Sequence, residues 1–436
     1  MSIENSKPST PSFTRRPRVI VVGGGFGGVE AAKILARAPV DVTLIDRRNY
    51  HLFQPLLYQI ATAVLPPSVV AWPIRSIFAG RPNVEVVMLE IDRIDCERGL
   101  VAGGPVTVPF DYLVVATGAT HAYFGHDSWA FFAPGLKTVS DADKIRERLL
   151  RAFERAELID DPTARARLMT AVVVGGGATG VEMAGAIAEL TRSSFVNEFR
   201  RADPRKSRTI LIEAGPRILP AFQEPLAVLA RRSLEKLGVE VYVNLAVTEC
   251  DGSGVSAGDK RFDAETVVWA AGVKASPAAT WLTAAADRVG RVKVDEYLSV
   301  PGAPHIFVIG DTASIVMPDG KPVPGVAPAA KQMGTYVGQR IADLVAGKGN
   351  LPPFRYHHQG DLATIGRSSA IVSMGRLKLS GMAGWLTWCL AHIFFLIGFR
   401  SRLIVSITWI WNFFTMRRGA RIIEDGELGS HDSNGM

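Results

Sequence analysis

Two glycine clusters are the residues best placed to do chemistry. Gly23, Gly25 and Gly28, with Phe26 and Gly27 between them, keep G-x-G-x-x-G spacing directly after the apolar run Val19–Val22. Gly175, Gly177 and Gly180, with Thr179 among them, repeat that spacing after Ala171–Val174. In such a turn the first glycine permits a tight bend and the second lets a pyrophosphate touch the backbone. The third lets helix and strand pack closely. The helix that follows aims its free N–H groups and its dipole at the phosphates. An acidic residue closes the next strand in each half: Asp46, 18 residues beyond Gly28, and Glu213 after Thr209–Ile212. Each is placed to accept a hydrogen bond from a ribose hydroxyl. Glu213 stands farther from its glycines because a helix and the basic loop 200–208 intervene. A carboxylate there repels a 2′-phosphate and favours NADH over NADPH, a preference that Arg217 nearby weakens.

The elements that position these residues also come in pairs. Asp111–Gly118 (DYLVVATG) and Thr266–Gly272 (TVVWAAG) read as buried strands ending in Thr117-Gly118 and Ala271-Gly272. Two dinucleotide sites in one chain imply two dinucleotides, and FAD with a nicotinamide nucleotide is the economical pair. The strand Pro304–Asp311 ends in Gly310-Asp311, an Asp expected beside a flavin's ribityl chain. It follows the second unit, so the chain leaves the first domain, builds the second and returns. The predicted fold class is therefore α/β, with two Rossmann-like dinucleotide-binding domains, the second inserted in the first, and a C-terminal amphipathic helical segment. Expected boundaries are a tail 1–17, FAD domain 18–138 and 296–376, NADH domain 139–295, terminal helices 377–418 and a polar tail 419–436. The FAD cradle is expected to comprise Gly23, Gly25, Phe26, Gly27, Gly28, Asp46, Arg47, Thr117, Gly118, Gly310, Asp311, Ala327 and Pro328. For NADH it is Gly175, Gly177, Thr179, Gly180, Glu182, Glu213, Ala271 and Gly272. A charged helix over Ser140–Arg155 reads as capped by Ser140, and 47–67 as a segment that folds over a bound cofactor.

Composition narrows the class. The 436 residues are 47% hydrophobic with net charge +7, yet without a long Lys/Arg run or aromatic-basic interleaving. Nucleic acid is a poor partner for such a chain and an anionic membrane surface a better one. Cys96, Cys250 and Cys389 lie far apart, which excludes a disulfide framework and a C-x-x-C relay and fits a reducing compartment. No Cys or His cluster has metal-ligand spacing, so no metal is expected. The first 18 residues lack the apolar core of a secretory signal. Near the other end, Ala383–Phe399 and Leu403–Met416 are apolar and Trp-rich but short for a span of ~20 residues. Ser401, Thr408, Asn412 and Thr415 line one side of the second stretch, and Ile404, Ile407, Trp411 and Phe414 the other. Trp rings and flanking Arg400, Arg402, Arg417 and Arg418 suit two helices lying on a membrane.

Electrons reaching a flavin must leave it. Without C-x-x-C a disulfide acceptor is improbable, and the membrane-facing end points to a quinone. Gly325–Gly334 opens a helix whose N-terminal N–H groups suit a reduced flavin ring, with Lys331 and Gln332 one turn in, able to polarise and hydrogen-bond a quinone carbonyl. Glu182, early in the second dinucleotide helix, is either a partner for the helix dipole or a proton relay with a raised pKa. With at most one marginal span, no intramembrane path of ionisable residues exists for proton pumping.

At this point the chain resembles the type II NADH dehydrogenases, single-subunit non-pumping NADH:quinone oxidoreductases of the two-dinucleotide flavoprotein superfamily. The likeness runs from about Val19 to about Arg418, on GGGFGG, IDRRNYHLFQPLLYQIAT, ATGA, GGGATGVEMAGAIAEL, WAAG, VIGD and HIFFLIGFRSRL. The Asp46–Thr62 block and the terminal stretch are far more specific than the glycines. The resemblance implies FAD at the first unit, NADH at the second, a quinone reached from the membrane, and a peripheral, often dimeric enzyme. Cysteine use favours the cytoplasmic face. Glu182 matches the family's Glu near nicotinamide and quinone, and Gln332 the second Gln of its A-Q-x-A-x-Q motif. The first Gln of that motif is Pro328 here, which removes a side-chain contact. Rival readings are a sulfide:quinone reductase, which needs a cysteine pair beside the flavin, and an NADH-responsive membrane sensor.

Overall fold

In chain order, the helices that build the site are α1 (Phe26–Leu35), α2 (Leu57–Ala61), α3 (Val139–Leu158), α4 (Ala178–Glu189), α5 (Ala327–Val345), α6 (Gly381–Phe395) and α7 (Phe399–Thr415). The computed structural model describes residues 15–196, 198–348, 351–415 and 418–423. The expectations for the two tails fall largely outside these residues. Backbone contacts divide the chain into two units. One comprises Met1–His51, Trp72–Thr120 and Val273–His358; the other comprises Leu52–Ala71, His121–Gly272 and Gln359–Met436.

The first unit is organised by a sheet in the order Val84–Met88, Asp41–Asp46, Arg18–Val22, Tyr112–Val115, Ala303–Val308, with Ser299–Val300 added antiparallel at the edge. Val19 pairs with Val42 on one side and Tyr112 on the other, all strands running parallel. Strands covered on both faces read as continuous apolar runs, and Val19 to Val22 are all buried. Helices α1 and α5 pack together through missing side chains. A Cβ on Gly334 would stand 2.2 Å from the Gly27 carbonyl oxygen. This close fit seats the middle of α5 against the start of α1.

The second unit repeats the pattern with four parallel strands, Val239–Tyr242, Arg208–Ile212, Thr170–Val174 and Thr266–Trp269. Helix α3 starts at Val139, and its cap lies two residues before the expected Ser140. Thr138 is its cap, accepting from the Asp141 N–H at 3.0 Å while the Asp141 carboxylate accepts from the Thr138 N–H at 2.9 Å. That reciprocal box satisfies two orphan donors where Ser140 satisfies none. Helix α4 ends in one π-helical turn, Leu190–Ser194. The unit also takes in 52–71, with α2, and everything from Gln359, segments that the expected boundaries assign to the FAD domain and to separate terminal helices.

The C-terminal part is a three-stranded antiparallel sheet, Asp361–Thr364, Ala370–Met374 and Leu377–Leu379, followed by α6 and α7. Gly384 lets α6 touch that sheet, since a Cβ there would meet the Ala370 carbonyl oxygen at 2.4 Å. On α7 the exposed face is apolar as well as the buried one. Ser401, Val405 and Trp409 are buried, while Leu403, Ile407, Ile410, Trp411 and Phe414 are exposed. No helix among the described residues is long and apolar enough to cross a membrane.

Candidate active site

Both glycine turns adopt one geometry. Gly23 has φ +112° and Gly175 φ +110°, a left-handed region open to glycine. A Cβ on Gly28 would collide with the Gly23 carbonyl oxygen at 1.9 Å, and one on Gly180 with that of Gly175 at 1.8 Å. Gly25 and Gly177 are different: a Cβ on either meets nothing within 4 Å. The space in front of them is open, and they begin helices α1 and α4 with no side chain capping the first N–H groups. Uncapped amides before an open cradle are what a pyrophosphate needs. The residues therefore fit a dinucleotide in each unit.

The two acidic residues stand where expected, and each also ties down its turn. Asp46 accepts from the Gly24 N–H at 2.6 Å and the Arg48 N–H at 2.7 Å. Glu213 accepts from the Gly176 N–H at 2.5 Å and the Gly215 N–H at 2.6 Å. Each carboxylate oxygen keeps a further lone pair for a ribose hydroxyl. Arg47 points elsewhere, pairing at the surface with Glu90 at 3.3 Å.

In the first unit, Thr117-Gly118 and Gly310-Asp311 meet. The buried Thr312, which sequence reasoning passed over, joins them: its Oγ1 accepts from the Gly118 N–H at 2.7 Å. Thr117 Oγ1 lies 2.6 Å from Ser276 Oγ. His51 is a second unforeseen residue. Its Nδ1 is 2.9 Å from the Gly24 carbonyl oxygen, its ring meets Phe26 edge-on at 5.2 Å, and its buried Nε2 has no partner. Burial pushes its pKa down to about 4, so the ring is neutral. Ala327 and Pro328 open α5, where Pro328 also subtracts one of the free N–H groups of the helix start.

Most of the hydrogen-bonding capacity of Gln332 is already engaged: Nε2 donates to the His357 carbonyl at 2.9 Å and Oε1 accepts from the His357 N–H at 2.9 Å. The side chain pins a loop and retains one N–H. Lys331 is half-buried, and desolvation lowers its pKa.

Glu182 lies in the second unit, in a setting that sequence spacing did not disclose. Gly185, lacking a Cβ, lets the loop 364–367 close on α4, since a Cβ would stand 3.1 Å from the Gly366 nitrogen. That loop presents the Thr364 N–H to Glu182 at 3.3 Å and the Arg367 N–H to Glu189 at 2.7 Å. The Trp388 indole of α6 is turned toward the same Glu182 carboxyl, without reaching hydrogen-bond geometry. Burial outweighs these contacts and lifts the Glu182 pKa to about 8. The dipole-partner role alone does not account for such a carboxyl, because one that is mostly neutral at pH 7 gains little from the helix start.

A polar network runs behind it. Trp409 of α7 donates to Gln59 at 2.7 Å, and Gln59 donates to the Tyr58 hydroxyl at 2.8 Å. Burial and the neighbouring Glu182 raise the Tyr58 pKa. Arg418, read as a membrane-facing cation, is buried instead, donating to the carbonyls of Thr62 at 2.8 Å and Ala186 at 3.0 Å and lying 3.5 Å from Glu189. Tyr58, Trp385, Trp388, Trp409 and Phe413 line a cavity beside this network. Cys250 and Cys389 are buried thiols with pKa raised to about 11 and about 12, and no metal-ligand cluster exists among the described residues.

Sequence and fold place the chain among known proteins. Residues 17–334 match the pyridine nucleotide-disulphide oxidoreductase family. The chain is 42% identical over 426 residues to the type II NADH:quinone oxidoreductase Ndh of Mycobacterium tuberculosis, covering 94% of this chain and 91% of that one. It is 40% identical to NdhA of the same organism, covering 97% and 92%. In structure it is similar to NDH2 of Plasmodium falciparum in complex with NADH, with TM-score 0.85 at 22% identity over 92% of this chain and 99% of that one. The sulfide:quinone oxidoreductase of Aquifex aeolicus shares the fold at TM-score 0.71 and 18% identity, over 89% and 92%. With two nucleotide cradles of one geometry and relatives at 40–42% identity across nearly its whole length, the chain belongs to the type II NADH:quinone oxidoreductase family.

Proposed function

We propose that this chain oxidises NADH and passes the electron pair through FAD to a membrane quinone, with no cysteine or metal step. The observation that carries the reading is the pair of open cradles at Gly25 and Gly177, each with a carboxylate at the ribose position. When bound, FAD supplies the chemistry of accepting a hydride and releasing two electrons; the side chains bind, orient and manage protons. Gly25 and the first turn of α1 hold one pyrophosphate, with Asp46 on its ribose. Gly177 and the first turn of α4 hold the other, with Glu213 on a free 2′-hydroxyl. Reducing a quinone consumes two electrons and two protons. NADH brings two electrons and one proton, so one more proton must come from the protein or solvent. Glu182, largely protonated at neutral pH, is the donor in this reading. The remaining Nε2 hydrogen of Gln332 and the Lys331 ammonium polarise the quinone carbonyl.

The exposed apolar faces of α6 and α7 support seating on a lipid surface. Phe394, Phe399 and Phe414 are 70%, 81% and 77% exposed, and burying each in lipid is worth about 1.5–3 kcal/mol. As the resemblance implies, the chain sits as a homodimer on the cytoplasmic face. Sulfide chemistry is disfavoured because it needs a paired, ionisable thiol, and burial holds Cys250 and Cys389 protonated. The absorbance spectrum of the purified protein tests the whole reading. A flavin spectrum that NADH bleaches and a quinone analogue restores is expected; a colourless protein that cannot take up FAD refutes it.

A further inference from the structure

Phe124 is 68% exposed and has φ +52°. A bulky residue in the left-handed region costs on the order of 1 kcal/mol, and such outliers gather at ligand sites. The neighbours do not account for a phenyl ring here. Tyr123 is buried and donates from its hydroxyl to the Ala133 carbonyl at 2.8 Å, and Gly125 continues the turn with φ +94°. Asn or Gly at 124 makes the same turn with less strain. What the ring does touch is the second cradle. A Cβ built on Gly272 would stand 2.6 Å from Phe124 Cζ and 3.3 Å from Cε2, and the ring lies 6.4 Å from that of Trp269. The internal duplication supplies the control. Gly118, the matching residue of the first cradle, has φ +70° and no atom within 4 Å of an added Cβ, so no ring packs on it as Phe124 does on Gly272. The ring therefore fills a corner of the NADH cradle that is open in its FAD counterpart.

We propose that Phe124 is a ligand-contacting residue of the second cradle, its ring a platform for a flat face of the pyridine nucleotide beside Gly272. The proposal rests on the reading of the second unit as the NADH site. An aromatic face recognises a planar ring by stacking, independent of charge. It thus complements the phosphate-directed amides of α4, and being exposed it meets the nucleotide without unfolding anything.

The test compares Phe124→Ala, Phe124→Tyr and Phe124→Asn in the full FAD-loaded enzyme. KM for NADH and the flavin-reduction rate at saturating NADH are read alongside Tm. For Phe124→Ala, KM should rise about 10-fold with the saturating rate within about twofold and FAD content unchanged. Phe124→Tyr should restore KM. Phe124→Asn should keep or raise Tm, because Asn tolerates the backbone angle, while KM rises as in the alanine variant. A stabilising substitution that weakens binding separates a ligand contact from a structural one. An unchanged or lowered KM in Phe124→Ala overturns the proposal, as does a lowered Tm in Phe124→Asn with KM following stability. Failure of the underlying reading looks different: the unmodified enzyme would show no flavin reduction by NADH at all.

Discussion

Replacing Glu182 by Gln separates the two halves of the catalytic cycle. The isostere keeps the shape and can still accept the Thr364 N–H, but it cannot release a proton. With a pKa of about 8 the carboxyl is ~90% protonated at pH 7, whereas at the ordinary 4.5 it would be ~0.3% protonated. Burial thus raises the donor population ~300-fold. Loss of a positioned acid commonly costs 10²–10⁴ in rate. In anaerobic stopped flow, flavin reduction by NADH should change little, while reoxidation by a quinone analogue should slow about 100-fold or more. The wild-type reoxidation rate should fall as pH rises through about 8, and this break should vanish in Glu182→Gln. A break near 8 that persists in the variant, or equal slowing of both half-reactions, refutes the role. Stability provides an independent check. A carboxyl whose folded pKa is raised stabilises the fold fully below about 4.5, and that contribution is lost as pH climbs toward 8. At pH 7 the loss is about 3 kcal/mol, at 1.4 kcal/mol per tenfold in proton affinity. Glu182→Gln should therefore match the wild type in Tm at acid pH and exceed it at neutral pH.

Three other outcomes follow from geometry. Gly25→Ala and Gly177→Ala should fold, since both positions have extended backbone and open space. The first should lose FAD content and the second raise KM for NADH alone; a shared effect on both nucleotides would undo the assignment. Glu213→Gln should improve NADPH use relative to NADH about tenfold, by removing a charge that opposes the 2′-phosphate; an unchanged kcat/KM ratio argues against that contact. Phe394→Asp with Phe414→Asp should release the protein from sedimented anionic vesicles while NADH still bleaches the flavin, and undiminished binding would remove those faces from the membrane contact.

Much of this molecule was legible in its residue order because its main features are local. The G-x-G-x-x-G turns need left-handed φ at Gly23 and Gly175 and no Cβ at Gly28 and Gly180, and few other residues satisfy either demand. Apolar strands covered on both faces announce themselves without any partner being known. Residue pattern alone puts the α3 cap at Ser140, whereas the capping box puts it at Thr138, a difference of the kind expected at element ends.

What residue order concealed is the company each side chain keeps. Gln332 looked like a free amide one turn into a helix, yet the His357 backbone occupies both its ends. Arg418 looked like a headgroup cation, yet it is buried against Thr62, Ala186 and Glu189, partners more than 200 residues away. Glu182 could be read as a dipole partner or an acid. A loop closing over Gly185 and an indole from α6 shield it and raise its proton affinity, which the residue order does not show. Backbone demands are written in single residues and short spacings, so they survive as pattern. Proton affinity and side-chain partnership depend on which distant segments exclude solvent, and that information exists once the chain is packed.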